Sequence, residues 1–266
     1  MTTSLFAAAA SLYALAAALY FAFLLGTRDR AAGAARIVLA AAFTLHLAEI
    51  GALCLRGEHP VRNAREVLSL ASWALCGAFL AATLRYRIAA VGCLVAPATL
   101  LLLLGARLAP TAASGSPGWP AASRLVGNAH IALATAGIAA FALAAASSAL
   151  YLLAEGQMKR RRFGVLFRRA PPLETLDALV HRSVTLGFPI FTLALLLGAV
   201  WTAQRGDASL RPEYVISIAT WCSFAALLVA RMTAGWRGRR AAILALAGFA
   251  ACAAVLAIYV ARGPLS

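Results

Sequence analysis

Residues 88–108 read IAAVGCLVAPATLLLLLGARL and follow directly on Arg85-Tyr86-Arg87. No charged residue lies between Arg87 and Arg107. A helix needs about 20 apolar residues to cross the hydrocarbon layer of a bilayer, and this run supplies them. It is continuous and rich in Ala and Leu, whereas the strands of a membrane barrel alternate between apolar and polar positions. The run therefore reads as a membrane-spanning helix bounded by arginines.

Seven similar runs lie along the chain, at about 4–26, 33–55, 67–84, 125–153, 183–203, 214–231 and 241–261. The expected architecture is all-α: one transmembrane domain over 1–266, a polytopic bundle of about eight helices. Composition agrees. Hydrophobic residues make up 63% of the 266 and charged residues 12%, against about 25% charged in an average soluble domain. Mean hydropathy is +0.84. These values exclude an ordinary soluble globular protein, a disordered chain and a disulfide scaffold. The first run has no Lys or Arg before it, and Arg28 and Arg30 follow it. A cleaved signal peptide has the opposite order, so this run is expected to be a retained span.

The formal charge is +15, from 24 basic and nine acidic residues, and Lys159 is the single lysine. Arginines in loops that fix topology account for this charge better than a nucleic-acid surface does, because no soluble fold is visible to carry one. Loops after the first, third, fifth and seventh spans hold fifteen basic residues, with the run KRRR at 159–162 the densest; the other side holds eight. The positive-inside rule then places both termini outside the cytoplasm of a bacterial plasma membrane. The loop at about 109–124 contains SGSPGWP and reads as a mobile or surface-lying connection. The five cysteines lie in or beside apolar runs without metal-type spacing and read as small buried hydrophobes.

Four histidines are present. His59 falls in an outer loop, His130 near the outer end of the fifth span, His46 in the outer half of the second, and His181 at the inner end of the sixth. Ionisable residues at membrane depth are costly and are candidates for function. His46 and Glu49, spaced i,i+3, share a helical face. They point either to a functional pair or to a packing hydrogen bond, with each other or with a neighbouring helix. His130, in GNAHI at 127–131, is either a satisfied interface residue or a metal ligand; neutral imidazole is the usual axial ligand of haem iron. Trp73, Trp119, Trp201 and Trp221 could form an aromatic wall, although interfacial tryptophan is expected in any such protein. The motifs GxxxxGK[ST], GxSxG, HExxH and CxxC are absent from the sequence. The segment GWRGRR at 235–240 reads as a tight turn with membrane-surface arginines.

Several of these residues together resemble a family. Gly187-Phe188-Pro189, Thr192 and Gly198-Ala199-Val200-Trp201 are similar to the GFPxxT…GAxW helix of cytochrome c assembly proteins of the CcsA/CcmC type. Trp221, the segment at 235–240 and Gly248-Phe249 resemble the helix, loop and last helix that follow. His46, Pro60, Asn63, Glu66 and Trp73 fit that family's H…P…N…E…W pattern. The resemblance implies a polytopic protein that handles haem, with His130 at the position of an outer-side haem ligand. His46 or His59 would be a second ligand, and Trp73, Trp201 and Glu213 would be part of the site. The family's Trp-rich signature is replaced by GDASLRPEYVI at 206–216, in which only Glu213 stands at the acidic position. The stretch at 228–231 has no histidine, and neither has 258–266. The chain thus resembles a divergent branch, similar to HemX-type and YpjD-type relatives.

The first functional expectation is a non-enzymatic haem-handling component of cytochrome c maturation, working with a membrane partner protein. The alternative is a membrane regulator or scaffold that holds a soluble enzyme of haem synthesis through its inner basic loops. A small-solute transporter rests on His46 and Glu49 alone. In this family, ligation would need thiol chemistry and a partner with a large outer domain, and the chain has no CxxC.

Overall fold

The computed structural model describes residues 2–26, 30–55, 63–109, 121–161, 164–204 and 212–262. Among them there are nine helices and no strand: α1 (Thr2–Leu24), α2 (Ala31–Cys54), α3 (Ala64–Thr83), α4 (Ala89–Leu108), α5 (Ala121–Lys159), α6 (Val165–Arg169), α7 (Leu173–Gln204), α8 (Pro212–Thr233) and α9 (Arg239–Arg262). All but the five-residue α6 are long and apolar enough to cross a membrane, eight in all. The protein is a multi-pass membrane bundle.

Contacts between helix ends show that successive spans run in opposite directions. Arg107, near the end of α4, sits over the ring of Phe6 at the start of α1. Leu68 near the start of α3 and Ala106 near the end of α4 pack with Leu256 and Val260 of α9. At the other end, Arg169 of α6 sits over Phe23 of α1, and Arg182 of α7 over Tyr86 between α3 and α4. This second end carries Arg85, Arg87, Lys159, Arg168, Arg231 and Arg239 and is called the basic end below.

Two cores share α5. Tyr13, Leu39, Phe79 and Leu103 of the first four helices pack with Leu143 and Leu150 of α5 and Leu176 of α7. Phe141 and Ala144, on another side of α5, pack with Val184, Phe191, Phe224 and Ala245 of α7, α8 and α9. Phe141 stacks on Phe224 with ring centroids 3.7 Å apart. Lipid tails are as apolar as these side chains, so close packing rather than hydrophobic burial must hold the helices together. Small residues allow it. A Cβ added at Gly137 of α5 would lie 3.2 Å from the Cα of Phe191, and one at Gly187 of α7 would lie 2.8 Å from the Cβ of Ala140.

Two helices extend well beyond their apolar runs at the basic end. α5 continues through Glu155 to Lys159, where the two side chains pair at 2.8 Å. α7 begins at Leu173, before Glu174, Asp177 and His181. Cys76, Cys93 and Cys252 are buried, as expected, whereas Cys54 and Cys222 are exposed on helix surfaces.

Candidate functional site

Many of the sequence motifs turn out to hold the fold. Asn63 caps α3: its side-chain oxygen accepts the backbone N–H of Glu66 at 3.0 Å, and its amide donates to the Glu66 carboxylate at 3.1 Å. This reciprocal arrangement satisfies a helix terminus. Thr192 locks α7 to α8, because its hydroxyl donates to the Phe188 carbonyl at 2.8 Å and accepts the Trp221 indole N–H at 2.9 Å. Gly235 and Gly238 both have φ of +63°, a region that favours glycine, so the tight-turn reading of 235–240 matches the backbone. Asp177 fastens that turn. It accepts the Gly238 N–H at 2.8 Å and both guanidinium nitrogens of Arg231, the Nη1 bond being 3.0 Å. Nothing in the sequence marks Asp177, because its partners lie more than fifty positions away.

Trp73 stacks on Phe43 of α2, with centroids 4.8 Å apart and planes 12° apart. It therefore belongs to the α2–α3 packing. Trp221 is engaged by Thr192. Of the four tryptophans considered for an aromatic wall, the structure brings Trp201 to His130; Trp119 lies outside the described residues, as do His59 and Pro60.

His46 is fully buried. Tyr13 of α1 approaches its Nδ1 at 3.2 Å, and Ser69 of α3 approaches its Nε2 at 2.8 Å. Both ring nitrogens are thus engaged, and through neighbouring helices rather than Glu49. Glu49, on the same face, is also buried, and its Oε2 has no hydrogen-bond partner among the described residues.

His130 is set differently. Its Nδ1 lies 2.6 Å from the carbonyl oxygen of Ala194 on α7. A carbonyl can only accept, so Nδ1 carries the proton and the lone pair of the neutral ring sits on Nε2. No hydrogen bond engages that nitrogen among the described residues. A backbone bond that fixes tautomer and ring orientation is the usual support of a metal-binding imidazole.

The surroundings of His130 are built for close approach. A Cβ at Gly198 would lie 2.8 Å from the His130 Cε1, so the imidazole occupies the space that glycine leaves on α7. The Trp201 ring centroid is 6.0 Å from that of His130, and the indole lies against Gly127, where a Cβ would come within 2.8 Å. Ser123 donates to Gln204 at 2.8 Å, and Thr202 pairs with Tyr214 at 3.0 Å. These contacts tie α5, α7 and the start of α8 together at the end opposite the basic one. Glu213 is the neighbour of Tyr214 in the first turn of α8. No hydrogen bond or ring contact joins His46 to His130 among the described residues. The donor chemistry fits one axial position of haem iron, at His130, with Trp201 as an aromatic neighbour.

The family model for cytochrome C assembly protein matches residues 61–262, most of the chain. The cytochrome c biogenesis protein CcsA of Gloeobacter violaceus is 46% identical over 88 residues, which is 32% of this chain and 26% of that protein. Its namesake in Trichormus variabilis is 46% identical over 78 residues, 29% of this chain and 22% of the relative. That of Microcystis aeruginosa is 45% identical over 78 residues, 29% and 24%. The matched segments cover about a quarter of these relatives' length. No solved structure matches the chain. With its bundle of membrane helices and its match over 61–262, the chain belongs to the cytochrome c assembly protein family.

Proposed function

We propose that this protein handles haem in cytochrome c maturation, binding it at the end of the bundle that holds His130 and Trp201. The observation that carries the reading is the 2.6 Å bond from His130 Nδ1 to the Ala194 carbonyl. It fixes the imidazole between α5 and α7 and leaves Nε2 without a hydrogen bond among the described residues. Haem, when bound, would supply an iron for that nitrogen to ligate. Gly198 leaves room for the ring, the Ala194 carbonyl holds its proton on Nδ1, and Trp201 offers an apolar face beside it. Glu213, at the start of α8, is a further candidate at this end, and His59 is a further candidate from the sequence.

In this reading the chain is a binding and handover component, without a reaction of its own. It acts with a membrane partner protein in the bacterial plasma membrane. The arginines gathered at the basic end support a cytoplasmic position for that end, which puts His130 and both termini on the outer side. The family match and the CcsA relatives favour this role over that of a scaffold for haem synthesis.

Deletion in a host that makes cytochromes c tests the role. Covalently bound haem in membrane cytochromes should be lost, restored by the wild-type gene and not restored by His130→Ala. Normal cytochromes c in a clean deletion would overturn the proposal.

A further inference from the structure

A cleft of about 720 Å³ lies at the basic end, far from His130 in the fold. The start of α7 forms one side, and the end of α8 with the turn before α9 forms the other. Its floor is made rigid by the Asp177 clamp. Arg231 is held between 2.5 and 3.0 Å from that carboxylate, and the Gly238 N–H reaches the same group. The Tyr151 hydroxyl packs against Gly238, where a Cβ would come within 2.6 Å of it, and adds a polar group to the wall.

Arg231 is ion-paired with Asp177, whose carboxylate also feels the charge of Arg237, but two further arginines of the lining have no ion pair of their own among the described residues. Arg182 and Arg237 form no ion pair among the described residues, and Arg182 has only the Tyr86 ring for a neighbouring partner, at 5.5 Å. His181 also lines the cleft. Glu174 also lines the cleft, so its net charge is positive once Arg231 and Asp177 are taken as a pair. Two unpaired guanidinium groups facing one polar cleft are suited to the oxygens of a phosphate or carboxylate.

The helix that carries Arg182 identifies the source of such an anion. Leu186, Leu193, Leu196 and Val200 follow Arg182 along one face of α7, and all four are exposed, Leu186 at 67%. One helical face therefore presents a cation at the membrane surface and an apolar lane running from it into the bilayer. A free anion would use only the first of these, whereas a phospholipid would use both. Anionic lipid surfaces attract arginines at this depth.

We propose that the cleft between α7 and the α8–α9 turn binds the headgroup of an anionic phospholipid, with Arg182 and Arg237 as its charge partners and the exposed face of α7 as the lane for an acyl chain. The site does not depend on haem binding.

Native mass spectrometry of the full chain in a neutral detergent tests it. Dioleoyl phosphatidylglycerol, dioleoyl phosphatidylcholine and inorganic phosphate are titrated in turn. Phosphatidylglycerol should bind at least about tenfold more tightly than either of the others. The pair Arg182→Gln/Arg237→Gln should lose about tenfold in that affinity. The charge-matched pair Arg160→Gln/Arg168→Gln, exposed at the same end outside the cleft, should stay within about twofold of wild type. Arg182→Lys/Arg237→Lys should stay within about threefold, which separates loss of charge from loss of fold. Equal affinity for the two lipids would overturn the proposal, as would equal loss in the two Gln pairs. Full competition by inorganic phosphate would replace the lipid with a free anion. A Lys pair that elutes as a folded protein yet binds no better than the Gln pair would overturn the charge account.

Discussion

His46 and His130 are both set in long apolar helices, yet their surroundings give them opposite chemistry. His46 is enclosed by α1, α2 and α3 and has a hydroxyl at each ring nitrogen. Among the described residues His130 has one hydrogen-bond partner, the Ala194 carbonyl, and no hydrogen bond engages Nε2. A buried polar group in hydrocarbon needs partners, and His46 has as many as its ring can use. The lesson is that membrane depth alone does not mark a ligand. What distinguishes the two histidines is the number of ring nitrogens that the fold itself consumes. Around His46 the fold supplies large side chains that fill space, such as Tyr13, whose ring meets the imidazole edge-on at 5.8 Å. Around His130 it supplies Gly198 and Gly127, which make space.

Five substitutions test this contrast. His130→Ala has the largest expected effect: hemin affinity should fall by about a hundredfold, or roughly 2.7 kcal/mol, with the melting temperature nearly unchanged. Absorbance titration with hemin measures the first and a thermal melt in detergent the second. His46→Ala should do the reverse. It leaves the Tyr13 and Ser69 hydroxyls short of a partner, each an unsatisfied group worth about 1–3 kcal/mol, so the melt should fall while hemin affinity stays within about threefold. A His46→Ala protein that loses hemin binding at an unchanged melting temperature would reverse the assignment.

Gly198→Ala comes next. The new methyl would sit 2.8 Å from the imidazole, so the ring must shift, and hemin affinity should fall by about tenfold. Gly137→Ala, at a contact with the Phe191 backbone on the same helix pair, should destabilise the bundle by about 1–3 kcal/mol and leave affinity alone. If the two glycine variants lose affinity and stability in the same proportion, the His130 region is packing and nothing more. The smallest effect belongs to Thr192→Val, which removes the acceptor for the Trp221 indole. Interhelical hydrogen bonds in membranes average about 0.6 kcal/mol, so a small drop in melting temperature with an unchanged hemin titration is expected.

The spans were legible in the sequence because a bilayer forces a continuous apolar run onto any helix that crosses it. The extensions of α5 and α7 at the basic end were not. Glu155, Asp177 and His181 break the apolar pattern, and what keeps those turns helical is pairing with Lys159, Arg231 and the 235–240 turn. The family likeness was legible as well, but it did not say which of its residues hold the fold. Asn63 with Glu66 is a helix cap, and Thr192 with Trp221 is a helix lock. His130 could be singled out as a candidate, but its fixed tautomer could not. Its partner is a backbone carbonyl sixty-four positions away, and a backbone carbonyl leaves no mark in sequence. The stacking of Trp73 on Phe43 was not legible for a like reason, since it depends on the register between α2 and α3.

In the proposed function, Nε2 of His130 is the nitrogen that would ligate haem iron. Pulsed electron paramagnetic resonance of the hemin-loaded protein, grown with natural and with nitrogen-15 histidine, tests it most directly. An iron-bound imidazole nitrogen should be present in wild type, retained in His46→Ala and absent in His130→Ala. The same nitrogen signal persisting in His130→Ala would contradict it.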